Sequence, residues 1–536
     1  MPAAAADLGA DFKQKGDAAL RAGDLAEAER LYRQAVSLDP KSARSHFTLG
    51  YSLREQGKSA EAIPVLQAAL SIAPDLADAH YVLGTIDQDE GRADSAIGHF
   101  RRAIDLDPFN TFAHQDLCRA YVHAGRLDLA DAVLARGLAH NPDAADLHLL
   151  TGNVRDQQSR FREAVDAYDR ALHIAPESPE ALSNRGQSLM SLARYPEALA
   201  SFARAQAIRP DYASAHYNEG LCRLLLGEFA TGWAKHEWRW RSTSFLATQG
   251  SFATRTFATP LWTGQDSIRG KRILLHPEQG LGDTIQFCRY AQSVSSLGAT
   301  VLLEVQAPLR RLLSDLPGVS RLCTVGETPL EHDLHCPIMS LPMACGTDLD
   351  SIPAAEGYLG SSRDHRQRTA RWAETLGPRT RPRVGIVWSG SKHHKNDANR
   401  SIPLAAYSRI LSSEVESICL QNELRDDDRA PLAANPQIRL LCEELGDFSE
   451  TAALVANLDL VICVDTSVAH LAGALGKPVW VLLPANPDWR WLLQREDTPW
   501  YRSMRLFRQD RLGDWEGVLE RVRSELDRVV RSHAAF

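Results

Sequence analysis

Two patterns of apolar residues divide this chain, and each predicts a different kind of element. Through about residue 242, apolar and small positions recur inside a repeat of 34 residues. Pro40, Pro74, Pro108, Pro142, Pro176 and Pro210 mark it, as do Ala28, Ala62, Ala96, Ala130, Ala164 and Ala198. Two glycine columns share the register: Gly23, Gly57, Gly91 and Gly125, and Gly16, Gly50, Gly84, Gly152, Gly186 and Gly220. The period predicts helix–turn–helix units. Small residues let the two helices approach, and the proline, which has no N–H and clashes with the preceding turn, ends the second. No unit buries its apolar face alone, so the units stack into a solenoid. From about residue 269 the pattern changes to short apolar runs alternating with amphipathic stretches. Arg272–His276, Thr300–Val305, Val384–Trp388, Ser417–Leu420, Asp459–Val464 and Pro478–Leu483 read as buried strands. The stretches 284–297, 403–413, 449–456 and 466–475 read as helices between them. Such alternation predicts parallel sheets with helices on both faces.

The expected fold class is an α solenoid followed by α/β. A unit of this length with these small-residue columns is the tetratricopeptide pattern, expected over residues 8–242 as six full repeats and a capping seventh. A Ser-, Thr- and Phe-rich linker, 243–268, leads to two Rossmann-like domains at 269–376 and 382–510, parted by GPRTRPR. A last helix, 514–531, is expected to pack back on the first of them. By repeat register, Phe47, Tyr81, Asn184, Tyr217 and Asn218 should face the concave groove and contact an extended polypeptide. Trp233, Trp238 and Trp240 are expected to form interface core beneath the last repeat.

Composition narrows the classes. The 536 residues are 44% hydrophobic and 24% charged, as in ordinary soluble proteins. A net charge of −8 argues against non-specific nucleic-acid binding. No window is apolar enough for a membrane span, and the first residues lack a basic start before an apolar core, so no signal peptide is expected. Nine scattered cysteines without a Cys-x-x-Cys pair read as reduced thiols of a cytoplasmic protein without structural zinc.

Three segments should meet at strand C-terminal ends, where ligands bind in such sheets. In HPEQGLGDTIQF, 276–287, Gly280 and Gly282 allow a tight turn, Asp283 caps the next helix, and Thr284 follows at its start. In the stretch from Asp465, the Thr466 and Ser467 hydroxyls open a helix whose N–H groups suit a phosphate, with His470 one turn on. In WSGSKHHKNDANRS, 388–401, Ser389 is followed by Lys392, His393, His394, Lys395 and Arg400, cations suited to a diphosphate. The acidic run Asp426, Asp427 and Asp428 reads as a solvated turn.

Over residues 270–510 these segments together resemble heptosyltransferase-type glycosyltransferases of B-type, two-Rossmann fold. The most specific piece is Asp465-Thr466-Ser467-x-x-His470 with Gly476-Lys477-Pro478; Ser467 stands where that family has glycine. The resemblance implies that Asp283 is the catalytic base, that Asp465, Thr466 and Ser467 hold the donor diphosphate with His470 assisting, and that Lys392 or Lys395 contacts its phosphate. Gln421 follows the strand whose end contacts the nucleoside in that family. Joined to a repeat arm, the architecture resembles protein O-glycosyltransferases, including the O-GlcNAc transferase class and bacterial flagellin glycosyltransferases. The function so implied is inverting, metal-independent transfer from a nucleotide-sugar to a protein acceptor, with no cofactor. A catalytically inactive scaffold and a transferase acting on a glycan stand as alternatives.

Overall fold

The structure, a computed structural model, describes residues 2–248, 252, 255–328, 330–353, 357–392 and 396–531, with backbone alone for 2–6 and 244. It divides into two compact units, Met1–Pro210 and Asp211–Phe536.

The first unit is built of helix pairs, from Pro2–Arg21 with Leu25–Leu38 to Pro179–Ser191 with Tyr195–Ile208. Each second helix stops two residues before its proline, as Leu38 does before Pro40. The turn glycines Gly23, Gly57, Gly91 and Gly125 lie at φ +81°, +74°, +76° and +70°, a region open to glycine. Ser159 and Ala193 fill the same register at φ 60° and 58°, so two turns hold a side-chain-bearing residue there. The second glycine column serves packing. A Cβ at Gly16, Gly50 or Gly84 would lie 2.6 Å from Tyr32, Leu66 or Phe100 of the paired helix. Among the groove candidates, Phe47 and Tyr81 are half-buried. The Tyr81 hydroxyl donates to Asp116 Oδ2 at 3.0 Å. Asn184 Nδ2 donates to Asn153 Oδ1 at 2.8 Å across neighbouring repeats.

The seventh pair, Ala213–Leu225 and Phe229–His236, keeps the repeat register but belongs to the second unit. Trp233 is buried, donates Nε1 to the Thr347 carbonyl at 3.1 Å, and meets Trp489 edge-on. Arg239, wholly buried, clamps the equally buried Glu278 through Nε and Nη2 at 2.8 and 2.9 Å. Its Nη2 also reaches Ser340 Oγ at 2.7 Å. Tyr217 lies in this second unit, its ring edge-on to Phe245, so its face is spent on packing; Asn218, half-buried, is its neighbour. The described part of the segment read as a linker is folded at several points. Trp262 is buried and donates its backbone N–H to the His335 carbonyl at 2.8 Å, while Arg255 pairs with Glu304 at 2.6 Å.

Two parallel sheets complete the second unit. The first, ordered β3-β2-β1-β4, comprises β1 (Arg272–His276), β2 (Thr300–Val305), β3 (Val319–Thr324) and β4 (Leu334–Pro337). The second, ordered β10-β9-β8-β5-β6-β7, comprises β5 (Arg383–Val387), β6 (Glu416–Cys419), β7 (Ile438–Leu440), β8 (Leu460–Val464), β9 (Val479–Leu483) and β10 (Met504–Arg508). Helical repeats followed by two parallel α/β sheets are the fold class the sequence implied. Two placements differ. The last helix, Trp515–Arg531, buries Val518, Leu519, Val522 and Leu526 in the second sheet's core with Val384, Ile386 and Ile462, not on the first sheet. Arg363–Leu376 also joins the second sheet: Trp372 donates Nε1 to Glu450 Oε2 at 3.0 Å on the helix Phe448–Ala456.

Candidate functional site

The C-terminal ends of β5, β6 and β8 frame a cleft of about 180 Å³. Parallel strands end on one side, and the following turns leave their polar backbone there. From the β5 end come Ser389, Gly390 and Lys392; from the β6 end Gln421 and Glu423; from the β8 end Thr466 and Ser467. Phe448 supplies an aromatic wall.

Ser389 and Gln421 brace each other: Gln421 Nε2 donates to Ser389 Oγ at 2.9 Å, and the Ser389 N–H donates to Gln421 Oε1 at 3.2 Å. Lys392, exposed on the lip, pairs with Glu423 at 2.9 Å. His393, His394 and Lys395 fall outside the described residues. Behind the wall, a Cβ at Gly390 would lie 2.6 Å from the Arg400 guanidinium. Arg400 Nη1 donates to the Asp465 carbonyl at 3.0 Å, while its buried Nε makes no hydrogen bond among the described residues and lies 4.0 Å from Asp397 Oδ1. Burial, then Asp488, raises the Asp465 carboxyl above the usual range; Trp491, Arg400 and Arg490 oppose. Thr466 precedes the helix Ser467–Ala474 without capping it, and its buried Oγ1 has no partner among the described residues. An unpartnered hydroxyl and a helix start on one wall suit a phosphate oxygen.

The Gly-x-Gly-Asp turn does a different job from the one its glycines suggest. Gly280 sits at φ −70°, so neither tight-turn freedom nor a left-handed backbone is used. Gly282 lies in the helix Leu281–Phe287, where a Cβ would come 3.0 Å from His470 Cδ2 and 3.4 Å from Ser467 Cα. Its bare backbone therefore packs on the Ser467–Ala474 helix rather than on a ligand. Asp283 is the next residue, beside that contact. It accepts from the Gly280 N–H at 2.8 Å and from Arg490 Nη2. Burial raises its pKa, with Arg490 opposing.

Thr284 is wholly buried and donates to Gln306 Oε1 at 2.9 Å, so its hydroxyl is closed to a donor. His470 is also buried, with Nδ1 at 3.1 Å from the Tyr501 hydroxyl and its ring stacked on Trp491. Burial keeps it neutral, and it packs against Tyr501, Trp491 and Gly282 without lining the cleft.

Two residues that matter here were invisible in the pattern. Arg490, buried between Phe287 and Trp489, binds Asp283, Asp488 at 2.8 Å and Gln286 at 2.8 Å. It thereby joins the Asp283 helix to the loop after β9. Arg425 lines the cleft and ties Asp397 at 2.7 Å to the Gly390 carbonyl at 2.8 Å. The acidic run beside it is only partly solvated. Asp428 is buried and accepts from Trp388 Nε1 at 3.0 Å and the Arg425 N–H at 2.8 Å.

A repeat unit joined to two parallel α/β sheets, with an anion-suited cleft at the strand ends, is consistent with a B-type glycosyltransferase fold. The comparisons agree with that class. Residues 13–77, 47–111 and 183–231 match one tetratricopeptide repeat family, and 88–154 another. Residues 352–492 match glycosyltransferase family 9 (heptosyltransferase); the cleft residues from Val387 to Val468 lie inside that match, whereas Asp283 lies outside it. The chain thus carries a tetratricopeptide arm and a glycosyltransferase family 9 domain. Protein FlbA of Caulobacter vibrioides is a distant relative, 26% identical over 433 residues, 74% of this chain and 69% of that protein. Among solved structures, Pseudomonas aeruginosa PilF is similar at 16% identity and TM-score 0.36, covering 40% of this chain and 96% of PilF. MamA is similar at 24% identity and TM-score 0.28, covering 30% and 94%.

Proposed function

We propose that the protein moves a sugar from a nucleotide-sugar donor to a protein acceptor recruited by the repeat arm. Flagellin or another bacterial surface protein is the acceptor class suggested by the resemblance, and the cytoplasm is the proposed site of action. The observation that carries the reading is the cleft wall: the unpartnered Thr466 hydroxyl at the start of the Ser467–Ala474 helix, with Arg425 and Lys392 also in the lining. These groups would hold the leaving diphosphate, stabilising its charge as the glycosidic bond breaks. Asp283 would take the acceptor hydroxyl's proton, giving inversion, and a carboxyl raised by burial is better matched to that task near neutral pH. Gln421 and Ser389, locked to each other, would meet the nucleoside. In this reading His470 acts by holding the turn in place. No metal is invoked, since the helix start and side-chain cations supply the positive charge.

The test is thermal-shift screening of the full chain with ADP-, UDP-, GDP- and CMP-linked sugars, with and without EDTA, followed by transfer assays. One nucleotide class should stabilise the protein in EDTA, and Asp283→Asn should keep that shift while losing transfer. No shift with any nucleotide would overturn the reading in favour of an inactive scaffold. Full transfer by Asp283→Asn would remove Asp283 as the base.

A further inference from the structure

Cys419 ends β6 and is wholly buried in the second sheet's core. Cys442 opens the short 3-10 turn after β7; it is half-buried and followed by exposed Glu443 and Glu444. Cys419 stands opposite Leu440 in the parallel register, so Cys442, two residues further, falls on the same face. The two Sγ atoms lie 3.8 Å apart. All nine cysteines are free thiols, and this is the one such pair among the described residues.

Both cysteines border the cleft along the chain. Leu420 and Gln421, which line it, follow Cys419 directly, and Phe448, on its wall, follows Cys442 after one loop. We propose that Cys419 and Cys442 form a peroxide-oxidisable dithiol whose disulfide reshapes the nucleotide cleft. The chemistry stands on the pair alone; its effect on the cleft rests on the function proposed above.

Hydrogen peroxide is the oxidant. The Cys442 sulfur attacks one peroxide oxygen, the O–O bond breaks, and the released hydroxide takes the Cys442 proton to leave as water. The Cys442 sulfenic acid is then attacked by the Cys419 sulfur. The S–O bond breaks as the S–S bond forms, and the hydroxide leaves with the Cys419 proton as a second water. Two thiols and one peroxide thus become one disulfide and two waters, with both sulfurs oxidised and the peroxide oxygens reduced. The roles follow from placement, since Cys442 has the solvent-facing side and Cys419 the buried one. The neighbouring Cys419 thiol favours the Cys442 thiolate, whereas Cys442 and burial hold Cys419 protonated.

A disulfide needs about 2.05 Å between sulfurs, so the pair must close. β6 is hydrogen-bonded on both sides, to β5 and β7, so the 442–444 turn does most of the moving. That draws the Phe448 side of the cleft toward the Gln421 side.

The reduced full-length protein is treated with hydrogen peroxide, alkylated, digested and mapped by mass spectrometry. A Cys419–Cys442 cross-linked peptide, reversed by dithiothreitol, is expected. In Cys442→Ser the cross-link is absent and Cys419 stays reduced. In Cys419→Ser, Cys442 stops at a sulfenic acid trapped by dimedone. A folded wild-type protein that yields no cross-link, or oxidises first elsewhere, overturns the dithiol. ADP, UDP and GDP are then titrated against both forms. The oxidised form should bind the preferred one at least about tenfold more weakly, a shift of about 1.4 kcal/mol. Equal affinity overturns the link to the cleft. A reduced protein that binds none of them refutes the cleft reading and the link with it, while the peptide map still decides the disulfide.

Discussion

The buried pair of Arg239 and Glu278 is the sharpest place to perturb the second unit. Arg239 is 0% and Glu278 1% exposed, and two hydrogen bonds at 2.8 and 2.9 Å join them. Glu278 also accepts the Met339 N–H at 3.1 Å, and Arg239 donates to Ser340 and Glu237. Replacing one partner strips a buried charge of its closest-matched counter-ion where water does not reach, and only Glu237, on the Arg239 side, remains to offset it. Arg239→Met and Glu278→Leu should therefore each destabilise by about 3–5 kcal/mol. The double variant removes both charges, leaving the Met339 N–H and the partly exposed Glu237 to find water, a loss of about 1–3 kcal/mol. The double should thus be far less damaging than the two singles added together. All eleven tryptophans lie between Trp233 and Trp515, so tryptophan fluorescence in urea reads the second unit alone, while far-ultraviolet dichroism follows the helical arm as well. A single variant within about 0.5 kcal/mol of wild type, the range of ordinary surface changes, would refute the buried-charge argument. So would a double variant whose loss equals the sum of the singles.

Two further outcomes concern protons. Burial depresses the folded pKa of His236 and His470, and burial with His335 holds His276 at about 3. The unfolded histidines take up protons below about pH 6.5, so this stability is full above that pH and is lost as pH falls, by about 2 kcal/mol per histidine at pH 5. Urea midpoints at pH 7, 6 and 5 should show His276→Asn with a flatter dependence than wild type; parallel slopes would contradict the assignment. Arg490 holds the Asp283 carboxyl down against burial. Arg490→Met should therefore move the acid limb of the transfer rate to higher pH, and an unmoved limb in the folded variant would separate this ion pair from the reaction.

How much of this was legible depended on whether a residue's role is local. The prolines and turn glycines act within their own unit, so the period alone placed the helices. The buried strands β1, β2, β5, β6, β8 and β9 showed as apolar runs because both faces are covered. The strands missed, β3, β4, β7 and β10, are the four sheet edges. There a strand is partly solvated, as with the exposed Ser320 and Arg321 of β3, and no uninterrupted run forms. Gln421, Thr466 and Ser467 could be placed on the cleft because each lies within three residues of a strand's C-terminal end. Thr284, placed there by its helix start, failed, since its partner Gln306 lies after a different strand. Arg490 had little local signal; its partner Asp283 is set by tertiary folding, and nothing in the spacing of NPDWRW points to that partner. The best available hint was a tryptophan on each side of an arginine, which marks a buried cation over aromatic faces.

The seventh helix pair looks like arm but is built into the second unit's core. A chain of repeats can gain or lose members by duplication and deletion only where a member's removal uncovers no foreign surface. Here that freedom ends at Pro210. Upstream, the repeats pack on one another within the first unit, so they are the members that such traffic can add or drop. The pair from Ala213 to His236 is exempt from that traffic, because losing it would strip the cover from Trp489 and take Arg239's anchoring segment with it. It fixes the point from which arms of any length can be grown.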